Sequence, residues 1–197
     1  MPVSSSPTPQ IRTVVFVEGE SDRAAIETIA ARRGMNLASF GAKIEPLGGI
    51  TNLKKRLLAF GEGMRVCGLY DAGETHVVVG ALRATGLEGT DPADHGFFAC
   101  ARDLEDEFIR ALGPAAVQDV IAAAGEARLF RTLQGQPDHR GVDIGAQLRR
   151  FLGTKAGRKE RYGTLLAEAV PLDAVPAPID RLLGWTHPEG WPGAHRR

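Results

Sequence analysis

Cysteine is scarce in this chain of 197 residues, and neither sign of charge is in excess. The two cysteines, Cys67 and Cys100, each lie inside an apolar run, which predicts two small buried side chains in a reducing compartment rather than a disulfide or a metal site. Lys and Arg together number 24, as do Asp and Glu. The overall charge therefore neither draws the chain to a polyanion nor excludes one.

Long hydrophobic runs are also missing. No window approaches the ~20 apolar residues that a membrane helix needs, and the amino-terminal MPVSSSPTPQ lacks the positive start and apolar stretch of a secretion signal. We therefore expect a cytoplasmic protein without a membrane partner. The five histidines share no ligand spacing, which argues against a zinc site.

Beyond residue 11 the chain alternates short apolar runs with segments of helical period. Strands are predicted over Thr13–Val17, Lys43–Leu47, Val66–Tyr70 and Gly96–Cys100. Helices are predicted after an N-cap at Ser21, after an N-cap at Thr51, over 76–86 and over 104–112. Strands that alternate with helices indicate a parallel, doubly wound α/β sheet.

The pattern divides the chain into four parts. We expect a disordered lead-in over 1–11, an α/β domain over 12–112, a helical extension packed on it over 113–184, and a flexible tail over 185–197. Within the extension, helices are predicted over about 114–124, 144–151, 158–170 and 177–183, and residues 134–141 are expected to form a connecting loop.

Carboxylates follow three of the four predicted strands. Glu18 and Asp22 follow the first strand, Asp71 and Glu74 the third, and an acidic run begins at Asp103 after the fourth. Ligands of doubly wound sheets bind outside the carboxyl ends of the strands, and carboxylates held together repel one another unless a cation compensates. Hard oxygen ligands without His or Cys indicate Mg²⁺ or Mn²⁺, and with it phosphoryl transfer or phosphodiester hydrolysis.

Acids at helix starts also have a simpler explanation, because they complement the helix dipole. We favour that explanation for Asp106 and Glu107, and a metal site for Glu18 and Asp71. A further alternative is an α/β phosphotransfer domain in which Asp71 is a phosphorylated nucleophile.

The segments around these acids resemble the Toprim domain, in the form found in nucleases of the OLD (overcoming lysogenization defect) family. VVFVEGESDRAAIETIAARRG resembles its first motif, and LGGITNLKKRL resembles the second strand with its Gly-rich turn. VCGLYDAGE resembles the strand that carries Asp-x-Asp, and ACARDLEDEFIRALG the acidic segment of the OLD type. The resemblance spans about residues 12–170 and implies a Rossmann-like, mostly parallel sheet of about four strands flanked by helices, with an all-helical carboxyl-terminal extension.

The resemblance also implies roles for single residues. Glu18 and Asp22 are similar to the acids of the first motif, Asp71 to the leading acid of Asp-x-Asp, and Glu105 to an acid that helps to hold a second ion. It implies two Mg²⁺ or Mn²⁺ ions, catalytic roles for Glu18 and Asp71, and a Lys159 that stabilises charge on the phosphate.

One departure from the family pattern affects the site. Asp-x-Asp becomes Asp71-Ala72-Gly73 here, and Glu74, one position later with a longer side chain, is the predicted substitute. This leaves two hypotheses. The first is a metal-dependent nuclease, or a nucleotidyl-transferase-like hydrolase, that acts on DNA phosphodiesters. The second is a non-catalytic Toprim module that binds nucleic acid or a partner ATPase.

No Gly-x-x-x-x-Gly-Lys-Ser/Thr motif occurs, so no nucleotide cofactor is expected in this chain. The ATPase that OLD proteins carry is expected to be a separate chain if it is present at all, and a homodimer is a further possible assembly.

A basic strip lies between residues 149 and 161, where six basic side chains occur with one acid, Glu160. Lysines and arginines that contact phosphates supply sequence-independent affinity for DNA. Besides Lys159, the predicted DNA contacts are Arg149, Arg150, Lys155, Arg158 and Arg161. The alternative is a solvated helix face.

Overall fold

The structure is a computed structural model that describes residues 11–60, 63–87, 91–154 and 156–187. Lys155 lies outside these ranges, as do almost all of the predicted lead-in and most of the predicted tail. The described strands are Thr13–Val17 (β1), Ala42–Pro46 (β2), Arg65–Asp71 (β3) and Phe97–Cys100 (β4). They form one sheet in the order β2-β1-β3-β4, and all neighbouring strands are parallel. The predicted parallel sheet is confirmed.

The helices of the α/β part are Glu20–Arg32 (α1), Leu53–Ala59 (α2), Thr75–Arg83 (α3) and Leu104–Leu112 (α4). Those of the extension are Pro114–Ala123 (α5), Ala127–Gln134 (α6), Ile144–Leu152 (α7), Ala156–Ala169 (α8) and Ala177–Thr186 (α9). No described helix has both the length and the apolar character that crossing a membrane requires.

The central strand β1 is buried on both faces, which explains why its sequence is continuously apolar. Val15 and Val17 pack into a core that α1, α4 and the extension complete, whereas Val14 and Phe16 pack on the opposite face with α2 and α3. Helices on both faces of a parallel sheet make this a doubly wound fold.

The extension shares its core with the sheet. Helix α9 packs against β3 and β4, and α8 packs along α1. Arg32, in the last turn of α1, donates hydrogen bonds to the carbonyls of Ala167 and Val170, each at 2.6 Å, and so satisfies free carbonyl groups at the end of α8.

Several predicted details are wrong. Thr51 is not an N-cap residue, because it lies inside the 3-10 turn Ile50–Asn52 and Asn52 is the N-cap residue of α2. The first helix begins at Glu20 with Gly19 as its N-cap residue, so Ser21 is inside the helix. Helix α6 was not predicted, because it is short and Phe130 is its one fully buried side chain. The last helix continues to Thr186 rather than ending near 183, because Trp185 packs edge-on against Phe98.

A close approach of α8 to α1 predicts a sensitive position. A Cβ atom on Gly163 would lie 2.6 Å from the backbone oxygen of Ser21, so Gly163→Ala must push the two helices apart. We expect a loss of about 1–3 kcal/mol in the free energy of unfolding, which urea denaturation can measure. Gly80→Ala in α3 is the matched control, because a Cβ there meets no atom within 4 Å and should leave stability unchanged or raise it. Equal stability of both variants would contradict the close contact.

Candidate metal centre

Three carboxylates meet at the carboxyl edge of the sheet. Glu18 follows β1, and Asp71 ends β3, the strand that pairs with β1. Glu74 ends the 3-10 turn Ala72–Glu74 that comes directly after. One oxygen from each of these three side chains lies within 4.8 Å of the others. We call Glu18, Asp71 and Glu74 the acidic trio.

Burial and neighbouring carboxylates disfavour the charged form of two acids of the trio, Asp71 and Glu74. Burial, followed by the charges of Glu18, Asp103, Asp22 and Glu74, raises the pKa of Asp71 to about 7. Burial and the charge of Glu18 also raise the pKa of Glu74, although His76 acts in the opposite direction. A cation placed among these oxygens would relieve the repulsion.

One oxygen of the trio lacks a hydrogen-bond donor. Glu74 Oε2 is shielded from solvent and accepts no hydrogen bond from any described residue. A shielded polar atom without a partner is rare in proteins and has to be explained. Since carboxylate oxygens are the preferred ligands of Mg²⁺ and Mn²⁺, the trio fits such an ion.

The Gly-rich turn after β2 supports the backbone of Glu18. The N–H groups of Gly48 and Gly49 donate to the Glu18 carbonyl at 3.0 and 3.4 Å. These glycines have φ values of 66° and 115°, a region that side chains with a Cβ rarely adopt. The turn thus fixes the strand end from which Glu18 projects.

A second acidic group lies beside the trio. We call Asp22 and Glu105, both buried, the acidic pair. Asp22 accepts a hydrogen bond from the Gly19 N–H at 2.9 Å. Glu105, in the first turn of α4, lies 3.6 Å from Lys159 Nζ. Neither acid is in the trio, although the charge of Asp22 acts on the pKa of both Asp71 and Glu105.

Lys159 projects from α8 towards both groups. Burial lowers its pKa, but the charges of Glu105, Asp22, Glu18 and Asp103 outweigh this effect and raise it. Burial raises the pKa of Asp22 and of Glu105, and Lys159 opposes that rise in both. Lys159 and Glu18 also line an open cleft of about 440 Å³, together with Gly48 and Gly49.

Asp103 belongs to this region, although the sequence did not single it out as a site residue. It is the N-cap residue of α4, where its side chain accepts the Asp106 N–H at 2.8 Å, and its charge raises the pKa of Asp71. The same carboxylate forms an ion pair with Arg149. Its position just before a helix that follows a strand was the available signal.

Two arginines of the predicted basic strip are bound to other parts of the extension. Arg158 binds Glu126 at 3.1 Å and lies over the Phe151 ring, 4.3 Å from its centroid. Arg161 donates to the carbonyl of Ala124 at 3.0 Å. Arg150 is exposed and forms no ion pair within the part of the chain that the structure describes. Of these three arginines, Arg150 has the side chain most available to a phosphate.

A parallel α/β sheet with clustered carboxylates at its carboxyl edge and a helical extension is the arrangement that the Toprim resemblance implies. Residues 11–71 match the family model of the Toprim domain of overcoming lysogenization defect protein-like proteins. The predicted resemblance to OLD-type Toprim proteins is thereby confirmed for this segment.

Solved structures extend the likeness in fold over most of the chain. The C-terminal region of the Xanthomonas campestris pv. campestris OLD protein superposes with a TM-score of 0.64 at 21% identity, covering 89% of this chain and 93% of that one. The C-terminal region of the Burkholderia pseudomallei OLD protein gives 0.63 at 21% identity, covering 89% and 96%. No curated protein matches the sequence.

Proposed function

We propose that this chain is a divalent-metal-dependent nuclease that hydrolyses DNA phosphodiesters at the acidic trio. The observation that carries the proposal is that three carboxylate oxygens lie within 4.8 Å of one another. One further oxygen, Glu74 Oε2, is shielded from solvent and accepts no hydrogen bond from a described residue. The family match of residues 11–71 supports the same assignment, because it covers both Glu18 and Asp71.

Each residue has a separate task in this proposal. Glu18, Asp71 and Glu74 would hold Mg²⁺ or Mn²⁺, which supplies Lewis-acid polarisation of the phosphate and lowers the pKa of the attacking water. Asp22 and Glu105 would hold the second ion that the family resemblance implies. Lys159, on the wall of the cleft, would stabilise the negative charge that builds on the phosphate oxygens.

Plasmid cleavage tests the proposal. With Mg²⁺ or Mn²⁺ the protein is expected to nick supercoiled DNA, and Glu18→Gln should lower the rate by about 10²–10³-fold or more, as the loss of one charge-stabilising group does in other enzymes. Glu27→Gln is the matched control, since Glu27 is an exposed glutamate of α1. If the wild type leaves the plasmid intact under all these conditions, the nuclease assignment is wrong.

The basic residues give a second prediction. Because Arg150 is exposed and Arg158 is bound to Glu126, the substitutions should act on different properties. Arg150→Gln should weaken DNA binding and reduce the slope of log affinity against log salt by about 0.9. Arg158→Gln should instead lower the free energy of unfolding. Fluorescence anisotropy over a salt series measures DNA binding, and thermal melting measures stability. An unchanged salt slope for Arg150→Gln would show that Arg150 does not contact a DNA phosphate.

The replacement of the second Asp by Gly73 favours one competing function, a Toprim module that binds nucleic acid or a partner ATPase without cleavage. Salt-sensitive DNA binding without nicking would support it. A phosphotransfer domain would instead gain mass at Asp71 on treatment with a small phosphodonor.

We also propose a cytoplasmic location, consistent with the buried, free thiols of Cys67 and Cys100.

A further inference from the structure

The two acidic groups differ in their cationic partners. Within the described ranges, no lysine or arginine forms an ion pair with a member of the trio. The acidic pair, in contrast, forms an ion pair with a lysine, because Lys159 Nζ lies 3.6 Å from Glu105 Oε1. The Lys159 side chain is 35% exposed and that of Glu105 is 9% exposed, so solvent screens this pair only in part.

The backbone holds Lys159 at this place. Lys159 is on α8 one turn before Gly163, whose Cα has no room for a Cβ beside the backbone oxygen of Ser21. Ser21 is next to Asp22 at the start of α1, so the contact fixes the distance from α8 to the acidic pair. The charges of Asp22 and Glu105 both raise the pKa of Lys159, which places its ammonium group within the field of both acids.

We propose that the ammonium group of Lys159 is the resident cation of the acidic pair, so that one divalent ion binds tightly at the trio and a second binds at the pair only when Lys159 is displaced. The inference rests on the proposed metal site at the trio. Its physical basis is that two cations a few ångströms apart in a partly buried site repel one another, so Lys159 and a second ion compete for the same carboxylates.

Counting bound ions tests this inference without measuring cleavage. Titration with Mn²⁺ in a calorimeter should show one tight ion per wild-type chain, with any second ion bound about tenfold more weakly or worse. Lys159→Met should bind two tight ions and show the spin–spin broadening of paired Mn²⁺ in its electron paramagnetic resonance spectrum. Lys159→Arg keeps the charge and should remain at one ion.

The control is Lys54→Met, which removes an exposed lysine from α2 and should leave the count at one. Thermal melting confirms that each variant is folded. Two equally tight ions in the wild type, or a single ion in a folded Lys159→Met, would overturn the inference but leave the nuclease proposal standing. No tight ion in any variant would overturn the metal site of the proposed function itself.

Discussion

Asp71→Asn is expected to abolish cleavage and, at the same time, to make the metal-free protein more stable. Asp71 lies among Glu18, Asp22, Glu74 and Asp103, and burial together with these charges raises its pKa from 3.8 to about 7. Holding its carboxylate charged in the folded state therefore costs free energy. The amide has a similar shape and no charge, so it removes this cost together with the ability to hold the ion.

The sign of the pH dependence follows from the raised pKa. Between about pH 4 and 7 the folded state binds a proton that the unfolded state has lost, so the stability of the metal-free wild type falls as the pH rises through this window. Above about pH 7, Asp71 is charged in both states, and the full free-energy cost of its charge in the folded state applies. One pKa unit is about 1.4 kcal/mol, and after allowing for solvent screening of a partly exposed carboxyl we expect Asp71→Asn to gain about 1–2 kcal/mol at about pH 8.

Urea denaturation at several pH values, with and without Mg²⁺, measures both effects. Mg²⁺ at a hundred times its dissociation constant should stabilise the wild type by about 2.7 kcal/mol and leave Asp71→Asn unchanged. Asp173→Asn, an exposed acid between α8 and α9, is the control and should behave as the wild type. If Asp71→Asn is less stable than the wild type at alkaline pH, the carboxylates of the trio do not repel one another as we expect.

Glu74→Gln should lower the affinity for Mg²⁺ by about tenfold or more, and restoring the family's acid at position 73 should reverse the loss. Glu74 supplies the third carboxylate of the trio, and one of its oxygens accepts no hydrogen bond from the residues that the structure describes. At Gly73 a Cβ meets no atom within 4 Å, and the residue is not among the glycines with positive φ. An aspartate therefore fits there without strain.

The decisive protein is the double variant Gly73→Asp with Glu74→Gln. It should regain Mg²⁺ affinity and plasmid nicking, whereas Gly73→Asn with Glu74→Gln, which has the same shape but no charge, should not. A double variant as defective as Glu74→Gln alone would mean that Glu74 does not replace the second Asp of Asp-x-Asp.

The fold and the trio could be predicted because their signals are local. The continuous apolar run Thr13–Val17 identifies a central strand, and an acid directly after such a strand must lie at the carboxyl edge. The meeting of Glu18 with Asp71 then requires only that β1 and β3 pair in parallel.

The basic residues could not be placed in this way, because their partners are distant in sequence. Arg158 is bound to Glu126, and Arg149 to Asp103, through packing of the extension that no local pattern encodes. Spacing alone makes the strip resemble a DNA-binding surface, whereas tertiary contacts commit Arg158 to the core of the extension. Helix α6 was missed for a related reason, since one buried side chain gives no period to detect.

The contact between Gly163 and Ser21 also affects the order in which the candidate metal centre forms, because it docks α8, which carries Lys159, on α1. During synthesis the acids of the sheet leave the ribosome well before α8. Until α8 docks on α1, the acidic pair lacks Lys159, and Arg32 lacks the carbonyls of Ala167 and Val170 that it binds. Lys159 therefore joins the acids only after α8 has docked. A protein truncated before α8 would carry Asp22 and Glu105 without this cation.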